Sequence, residues 1–208
     1  MVVTEVRKSS FSKKLTEVYI DYEYAFSLYE NQIKKFNIKE NLEIDNYRME
    51  EIIKEVKKNA LNDALRTVLI SDSTKGIIKK KLKSKKYPDE IIDYVINYID
   101  EKGYVDDFDY AINFAKAKFR TGKGKKYIEA ELFKKGIDSN IICSVISDFY
   151  DESKIYEVAD MKLSSLIKGR QTPDYKDLCK LKDYLLRQGY EYSEVSDVIS
   201  KVKGKYED

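Results

Sequence analysis

Apolar residues recur along most of this chain at the spacing of an amphipathic helix. From residue 46 onward they follow the pattern i, i+3, i+4, i+7, which places them on one face of a helix. The first long helix is predicted at this point, and its apolar positions are Met49, Ile52, Ile53, Val56, Ala60, Ala64, Leu65 and Val68. The pattern predicts helices from there to the end of the chain.

The first 28 residues have a different pattern. Residues 2–6, 15–20 and 24–28 are short runs rich in β-branched and aromatic side chains, which favour strands. A sheet of two or three such strands is marginal on its own, so we expect a small antiparallel element that docks on the following helices. A short helix is predicted over residues 30–36.

The helical part contains an internal repeat. Apolar positions between residues 78 and 96 match those between 128 and 146 at a constant separation of 50, and a third copy follows the second at a separation of 53. The matched positions are Ile78, Leu82, Ile91, Ile92, Val95 and Ile96 in the first copy and Ile128, Leu132, Ile141, Ile142, Val145 and Ile146 in the second. The third copy places Leu181, Leu185, Val195, Val198 and Ile199 on the same framework, with Gly189 and Tyr190 at the turn, where the first copy has Lys86-Tyr87 and the second Gly136-Ile137. Each copy predicts a helix, a tight turn and a helix, and the preceding helix completes a three-helix unit. Stacked units of this kind share a core.

The predicted fold is therefore mainly α, with tandem three-helix repeats in an elongated array and a small N-terminal antiparallel β element. We expect four segments. They are the β element with its short helix over 1–45, and three-helix repeats over 46–103, 104–150 and 151–208.

The second repeat carries the most distinctive residues. Asp106 and Asp107 are suited to begin a helix, because short carboxylates accept hydrogen bonds from the unpaired N–H groups at a helix start. That helix has an apolar stripe consisting of Phe108, Ala111, Ile112, Ala115 and Phe119. Gly122 and Gly124 are predicted to break it before a second helix that stops at residues 135–136. Basic side chains crowd this junction, namely Lys116, Lys118, Arg120, Lys123, Lys125 and Lys126.

Two stretches in this repeat resemble the middle of RecX proteins, which are bacterial regulators of the RecA recombinase. They are Gly103-Tyr-Val-Asp-Asp107 and the segment from Gly122 to Ile137, with Lys126 in the family's basic position. The resemblance implies tandem three-helix repeats and a non-catalytic role in recombination, DNA repair and the SOS response. Proteins of this family bind in the groove of the RecA–single-stranded DNA filament and restrain its growth, ATP hydrolysis and strand exchange. Residues 71–78 lack the two arginines and the glutamate that the family usually has there.

Charge is abundant but balanced. Charged residues make up 37% of the 208-residue chain, with a formal net charge of +2, so only local clusters could favour an acidic partner. Basic helices alternate with acidic ones, and two interpretations of each lysine stay open: neutralisation of a neighbouring helix, or contact with a partner. The candidate partner-binding residues are Lys116, Lys118, Arg120, Lys123, Lys125 and Lys126, with Lys79 and Lys83 as weaker candidates.

The sequence argues against catalysis. It contains no histidine, the usual general base near neutral pH, and no Walker-type phosphate loop. Asp106 and Asp107 are better explained as helix-capping residues than as metal ligands, and Cys143 as a packing residue than as a nucleophile. We therefore expect that the protein is not an enzyme and that it binds neither a cofactor nor a metal ion.

The remaining expectations concern location and partners. Two isolated cysteines, no signal-peptide pattern and no long apolar run indicate a soluble cytoplasmic protein without a membrane segment. We expect a monomer whose partner is the RecA filament, with single-stranded DNA as a possible second contact. The alternatives are a module that binds nucleic acid directly and a helical scaffold for an unrelated protein.

Overall fold

Within residues 1–10 and 12–207, which the computed structural model describes, the chain forms three strands and ten helices. The strands are β1 (Val3–Lys8), β2 (Leu15–Ile20) and β3 (Glu23–Tyr29). The helices are α1 (Glu30–Lys35), α2 (Asn46–Ile70), α3 (Lys75–Ser84), α4 (Asp89–Glu101), α5 (Asp107–Arg120), α6 (Lys125–Lys134), α7 (Ser139–Phe149), α8 (Lys154–Ile167), α9 (Tyr175–Gln188) and α10 (Tyr192–Glu207). The prediction of a mainly helical protein with a small N-terminal antiparallel sheet is confirmed. None of the helices in these ranges is both long enough and apolar enough to cross a bilayer.

The chain divides into two compact units. The N-terminal unit, Met1–Asp106, contains the sheet, α1 and the bundle α2–α4. The C-terminal unit, Asp107–Asp208, contains the bundles α5–α7 and α8–α10, each with its own hydrophobic cluster. The finer division at residues 45, 103 and 150 stays a prediction.

The sheet docks on the first bundle through one shared core. Its strands run antiparallel in the order β1-β2-β3. Val18 and Phe26, both fully buried, belong to the same hydrophobic cluster as Ile52 and Val56 of α2. Burial of this shared apolar face is what stabilises a sheet too small to fold alone.

A buried carboxylate connects the sheet to the first repeat. Glu17 on β2 is only 1% exposed and accepts hydrogen bonds from Ser9 Oγ (3.0 Å), Arg7 Nε (3.2 Å) and the Tyr19 hydroxyl (3.1 Å). Lys86 Nζ, in the turn between α3 and α4, lies 3.5 Å from Glu17 Oε1. A buried charge is tolerated when it is paired and hydrogen-bonded in this way.

Stability of the N-terminal unit is expected to fall in acid because of Glu17. Burial by itself would raise the pKa of this carboxyl, but the hydrogen bonds from Ser9, Arg7 and Tyr19 outweigh it and lower the pKa. Because the folded-state pKa lies below the unfolded value of about 4.3, the stabilisation is present above that value and is lost as the pH falls through the folded-state pKa. Urea unfolding between pH 7 and pH 3 should therefore show a steeper loss for the natural protein than for Glu17→Gln. Equal slopes for the two proteins would contradict this expectation.

The three repeats bury most of the positions that their spacing predicts, whereas Ile96, Ile141 and Ile199 are only partly buried. Ile78, Ile128 and Leu181 are fully buried, as are Leu82, Leu132 and Leu185 to within 1%. The turn between the two matched helices also has a common geometry. Its left-handed residue is Lys86 (φ +58°) in the first repeat, Gly136 (φ +76°) in the second and Gly189 (φ +92°) in the third.

One position in the predicted stripe of α5 is wrong. Ala111 and Ala115 are fully buried, whereas Phe108 is 44% exposed. Phe108 lies in the first turn of α5, and the buried apolar residues of this helix are Ala111 and Ala115.

Candidate binding site

The turn of residues 122–124 is a joint between the second and third repeats. The backbone N–H of Gly124 donates to the carbonyl of Gln188 (2.9 Å), and the N–H of Lys126 donates to the carbonyl of Gly189 (3.0 Å). Gly189 is the left-handed residue of the third repeat's own turn, so two turns meet backbone to backbone. These bonds satisfy N–H groups at the start of α6 that have no intrahelical partner.

Both glycines at this joint are required by the close approach. A Cβ added at Gly124 would lie 2.4 Å from the carbonyl carbon and oxygen of Gly189. A Cβ added at Gly189 would lie 2.4 Å from the backbone nitrogen of Tyr127. The obstructing atoms are backbone, so no side-chain rotation can make room.

Two of the basic residues predicted to contact a partner take part in this joint. Lys123 Nζ donates to Gln188 Oε1 (2.8 Å). Lys125 Nζ lies 3.5 Å from Glu191 Oε1 and 5.3 Å from the centre of the Tyr150 ring. Both side chains are half-buried, so they contribute first to attachment of the third repeat.

The other four basic residues of the junction have no common contact among the described residues. Lys116 Nζ lies 4.6 Å from the ring centre of Phe149, and Lys118 Nζ lies 5.4 Å from that of Phe114. The exposed side chains of Arg120 and Lys126 form no hydrogen bond or ion pair with any residue in the described ranges. Arg120 and Lys123 line one cavity and Lys126 lines another, so the six residues do not form a single patch.

Lys79 and Lys83 are already paired with neighbouring acids. Lys79 Nζ lies 2.8 Å from Asp93 Oδ1, and this hydrogen bond raises the pKa of Lys79. Lys83 Nζ lies 3.1 Å from Asp89 Oδ1. These pairs bridge α3 and α4 on the face where Lys75 also pairs with Asp100 (2.9 Å).

The equivalent face of the second repeat is open. The separation of 50 residues converts the pair Lys83–Asp89 into Phe133 and Ser139, and Lys79–Asp93 into Glu129 and Cys143. A groove of about 400 Å³ lies between α6 and α7 at these positions. We call it the α6–α7 groove, and it is lined by Lys126, Glu129, Ala130, Phe133, Ser139, Ile142 and Cys143.

Phe133 is the most unusual residue of the α6–α7 groove. Its side chain is 69% exposed, although a phenyl ring is normally buried. Glu129 and Lys126 provide one carboxylate and one ammonium in the same lining, and neither forms an ion pair with a described residue. An apolar groove with one acid and one base suits a protein segment better than a phosphate backbone.

Cys143 differs from its predicted role. It was expected to pack in the core, but it is exposed and lines the groove.

The described residues contain no group of three or more side chains able to hold a metal ion, so nothing joins Asp106 and Asp107 in such a site. Asp107 is the first residue of α5, directly after Asp106.

Sequence comparison shows that this chain is similar to RecX proteins. The family model described as "RecX, second three-helix domain" matches residues 106–146, which include α5, α6 and most of α7. Regulatory protein RecX of Clostridium acetobutylicum is 31% identical over 210 residues, covering 96% of this chain and 95% of the relative. Regulatory protein RecX of Caldanaerobacter subterraneus subsp. tengcongensis is 27% identical, covering 96% of this chain and 99% of that protein.

Solved structures share the fold. A crystal structure of a regulatory protein RecX superposes with a TM-score of 0.61 at 22% identity, covering 95% of this chain and 98% of the other. RecX from Lactobacillus salivarius gives a TM-score of 0.58 at 25% identity, covering 71% of this chain and 96% of its own.

Proposed function

Because this chain belongs to the RecX family of regulatory proteins, we propose that it is a non-catalytic regulator of the RecA recombinase that binds the RecA–single-stranded DNA filament in the cytoplasm. In this proposal it restrains filament growth, ATP hydrolysis and strand exchange. The α6–α7 groove, with the charge of Lys126 in its lining, forms the contact surface.

The observation that supports a protein partner is the change between the first and second repeats. The two repeats share their buried positions, so the differences at residues 129, 133, 139 and 143 are not needed for the core. They replace two ion pairs with an exposed aromatic side chain beside an apolar groove. Exposed apolar surface of this kind is characteristic of protein-binding sites, where a central aromatic residue often dominates the affinity.

The experiment compares Phe133→Asp with Tyr47→Asp, a control at another exposed aromatic residue, which is 75% exposed on α2. If Phe133 inserts into a RecA subunit, its loss should weaken filament binding by about 2 kcal/mol, or roughly thirtyfold. The control should change binding less than threefold. Binding is measured by fluorescence anisotropy of labelled protein, and inhibition by the ATPase rate of the filament. Equal losses in the two variants would contradict the assignment of the groove.

A direct nucleic-acid module remains the second candidate, because the exposed Arg120 side chain is unpaired among the described residues. Binding to free single-stranded DNA, to RecA alone and to the filament is compared at two salt concentrations. Preference for the filament supports the first proposal. Equal and steeply salt-dependent binding to bare DNA supports the second, since released counterions make phosphate contacts salt-sensitive. Binding to none of the three would indicate a scaffold for another protein.

A further inference from the structure

Tyr190 contains a buried hydroxyl group that has no hydrogen-bond partner among the described residues. The residue is only 2% exposed, and an unpaired buried polar group destabilises a fold. Burial raises the pKa of Tyr190 to about 12, so the hydroxyl keeps its proton near neutral pH and is available as a donor.

The other two repeats show that this hydroxyl is not needed for packing. The equivalent residue of the second repeat is Ile137, which is 3% exposed and has no polar group. In the first repeat it is Tyr87, whose hydroxyl donates to Asp63 Oδ2 (2.9 Å). At this position the first repeat has a hydroxyl with a hydrogen-bond partner, the second repeat has no polar group, and the third repeat has a hydroxyl without a partner among the described residues.

Tyr190 lines a cleft of about 170 Å³ between the ends of the second and third repeats. We call it the Arg120 cleft, and its other lining residues are Phe119, Arg120, Lys123, Tyr150, Asp151 and Lys154. A water molecule takes up about 30 Å³ in the liquid, so the cleft has room for a group of several heavy atoms.

Positive charge dominates the Arg120 cleft. Lys123 is bonded to Gln188 and Lys154 is paired with Glu157, but Arg120 has no such partner among the described residues. Asp151 is the single carboxylate in the lining, and it already accepts hydrogen bonds from the backbone N–H and the hydroxyl of Ser153.

The position of α8 adds to this charge. The cleft includes Lys154, the first residue of this 14-residue helix, where aligned peptide dipoles favour an anion, and the N–H of Ser153 at this helix start already donates to the carboxylate of Asp151. Phe119 and Tyr150, with ring centres 5.4 Å apart, supply apolar surface on the same cleft. An unpaired guanidinium, an unpaired hydroxyl donor and a helix start thus occur around one small cavity.

We propose that the Arg120 cleft binds a phosphate group, with the Arg120 guanidinium supplying the charge and the Tyr190 hydroxyl donating a hydrogen bond to a phosphate oxygen. The shared chemistry is the phosphate group, whether it is free, belongs to a mononucleotide or belongs to a nucleic-acid backbone. This site does not depend on the α6–α7 groove or on RecA, so either proposal can fail without the other.

The test begins with Tyr190→Phe in the full chain, without phosphate and at constant ionic strength in chloride. Removing an unpaired buried hydroxyl should leave the thermal midpoint unchanged or raise it. Tyr87→Phe is the matched control and should lower the midpoint, because the hydroxyl of Tyr87 has a partner. A lower midpoint for Tyr190→Phe would mean that its hydroxyl is bonded within the protein, and this would overturn the proposal.

The second step measures affinity by calorimetry for three separate probes, which are inorganic phosphate, thymidine monophosphate and a thymidine oligonucleotide. At least one of the three probes should bind to the natural protein, with one phosphate group occupying each Arg120 cleft. Arg120→Gln and Tyr190→Phe should each weaken that binding about tenfold or more, since a hydrogen bond to a charged group is among the stronger polar contacts. Lys180→Gln removes an exposed charge elsewhere in the C-terminal unit and should leave the affinity unchanged.

The probes also identify the source of the phosphate. Binding of inorganic phosphate or the mononucleotide indicates a small-molecule site, whereas binding of the oligonucleotide alone indicates a backbone phosphate. The proposal is overturned if none of the probes binds, or if both cleft variants bind as tightly as the natural protein.

Discussion

Gly124→Ala is expected to lower the free energy of unfolding by about 2–3 kcal/mol, in the upper range for an added methyl group in a packed interior. The new Cβ would stand 2.4 Å from the carbonyl of Gly189 and 2.5 Å from the backbone nitrogen of Tyr190. To relieve this overlap the two turns must separate, and the hydrogen bonds from Gly124 and Lys126 to the third repeat would lengthen or break. Denaturant unfolding followed by circular dichroism measures the loss.

Gly204→Ala provides the matched control for this substitution. Gly204 lies in α10, and a Cβ there meets nothing within 4 Å. Alanine is the better helix former by about 1 kcal/mol, so this variant should be as stable as the natural protein or more so. If Gly124→Ala unfolds at the same denaturant concentration as the natural protein, the close contact between the two turns does not exist in solution.

The second large effect is expected for Asp63→Ala in the N-terminal unit. The carboxylate of Asp63, on α2, is 6% exposed and accepts the hydroxyl proton of Tyr87 (2.9 Å). It also lies 2.6 Å from Lys85 Nζ. Its loss leaves the hydroxyl of Tyr87 buried without an acceptor, and an unpaired buried polar group costs about 1–3 kcal/mol. We expect a loss of about 3 kcal/mol, because a cavity is created as well.

Lys85→Met separates the two contributions to this loss. The Lys85 side chain is 35% exposed, and the carboxylate of Asp63 keeps the hydrogen bond from Tyr87 when Lys85 is absent, so removal of Lys85 should cost less than removal of Asp63. Urea unfolding of the two variants and of the double mutant measures the coupling between the residues. A larger loss for Lys85→Met than for Asp63→Ala would show that the ion pair, and not the hydrogen bond of Tyr87, stabilises this contact.

The apolar spacing was sufficient to predict the helical repeats, because burial of one face is what makes each helix stable. Ile78, Ile128 and Leu181 are equivalent in sequence and are all fully buried. The α6–α7 groove was also within reach of the sequence. The alignment pairs Asp93 with Cys143 and Lys83 with Phe133, so it shows that the second repeat lacks these charged residues. Only the structure shows that Asp93 and Lys83 form ion pairs between α3 and α4.

The joint at Gly124 was not predictable by the same reasoning. Gly122 and Gly124 were expected to break a helix, and they do, but the partner of the turn is Gly189, which lies 65 residues later. Contacts between backbone atoms leave no hydrophobic pattern in the sequence. The sequence also contains no sign that Gln188 accepts a hydrogen bond from Lys123 within the chain, and contact of Lys123 with a partner stays a prediction.

The left-handed turn of the first repeat has a consequence for the ancestry of the chain. Where the later copies have glycine, the first has Lys86, and this conformation costs an ordinary residue roughly 1–2 kcal/mol. The hydroxyl of Tyr24 donates to the carbonyl of Lys86 (2.6 Å), and Glu17 holds its ammonium group, so the β element offsets that cost. A homologous protein that lacks these strands would also lack this compensation. We expect such a protein to have glycine at the corresponding site.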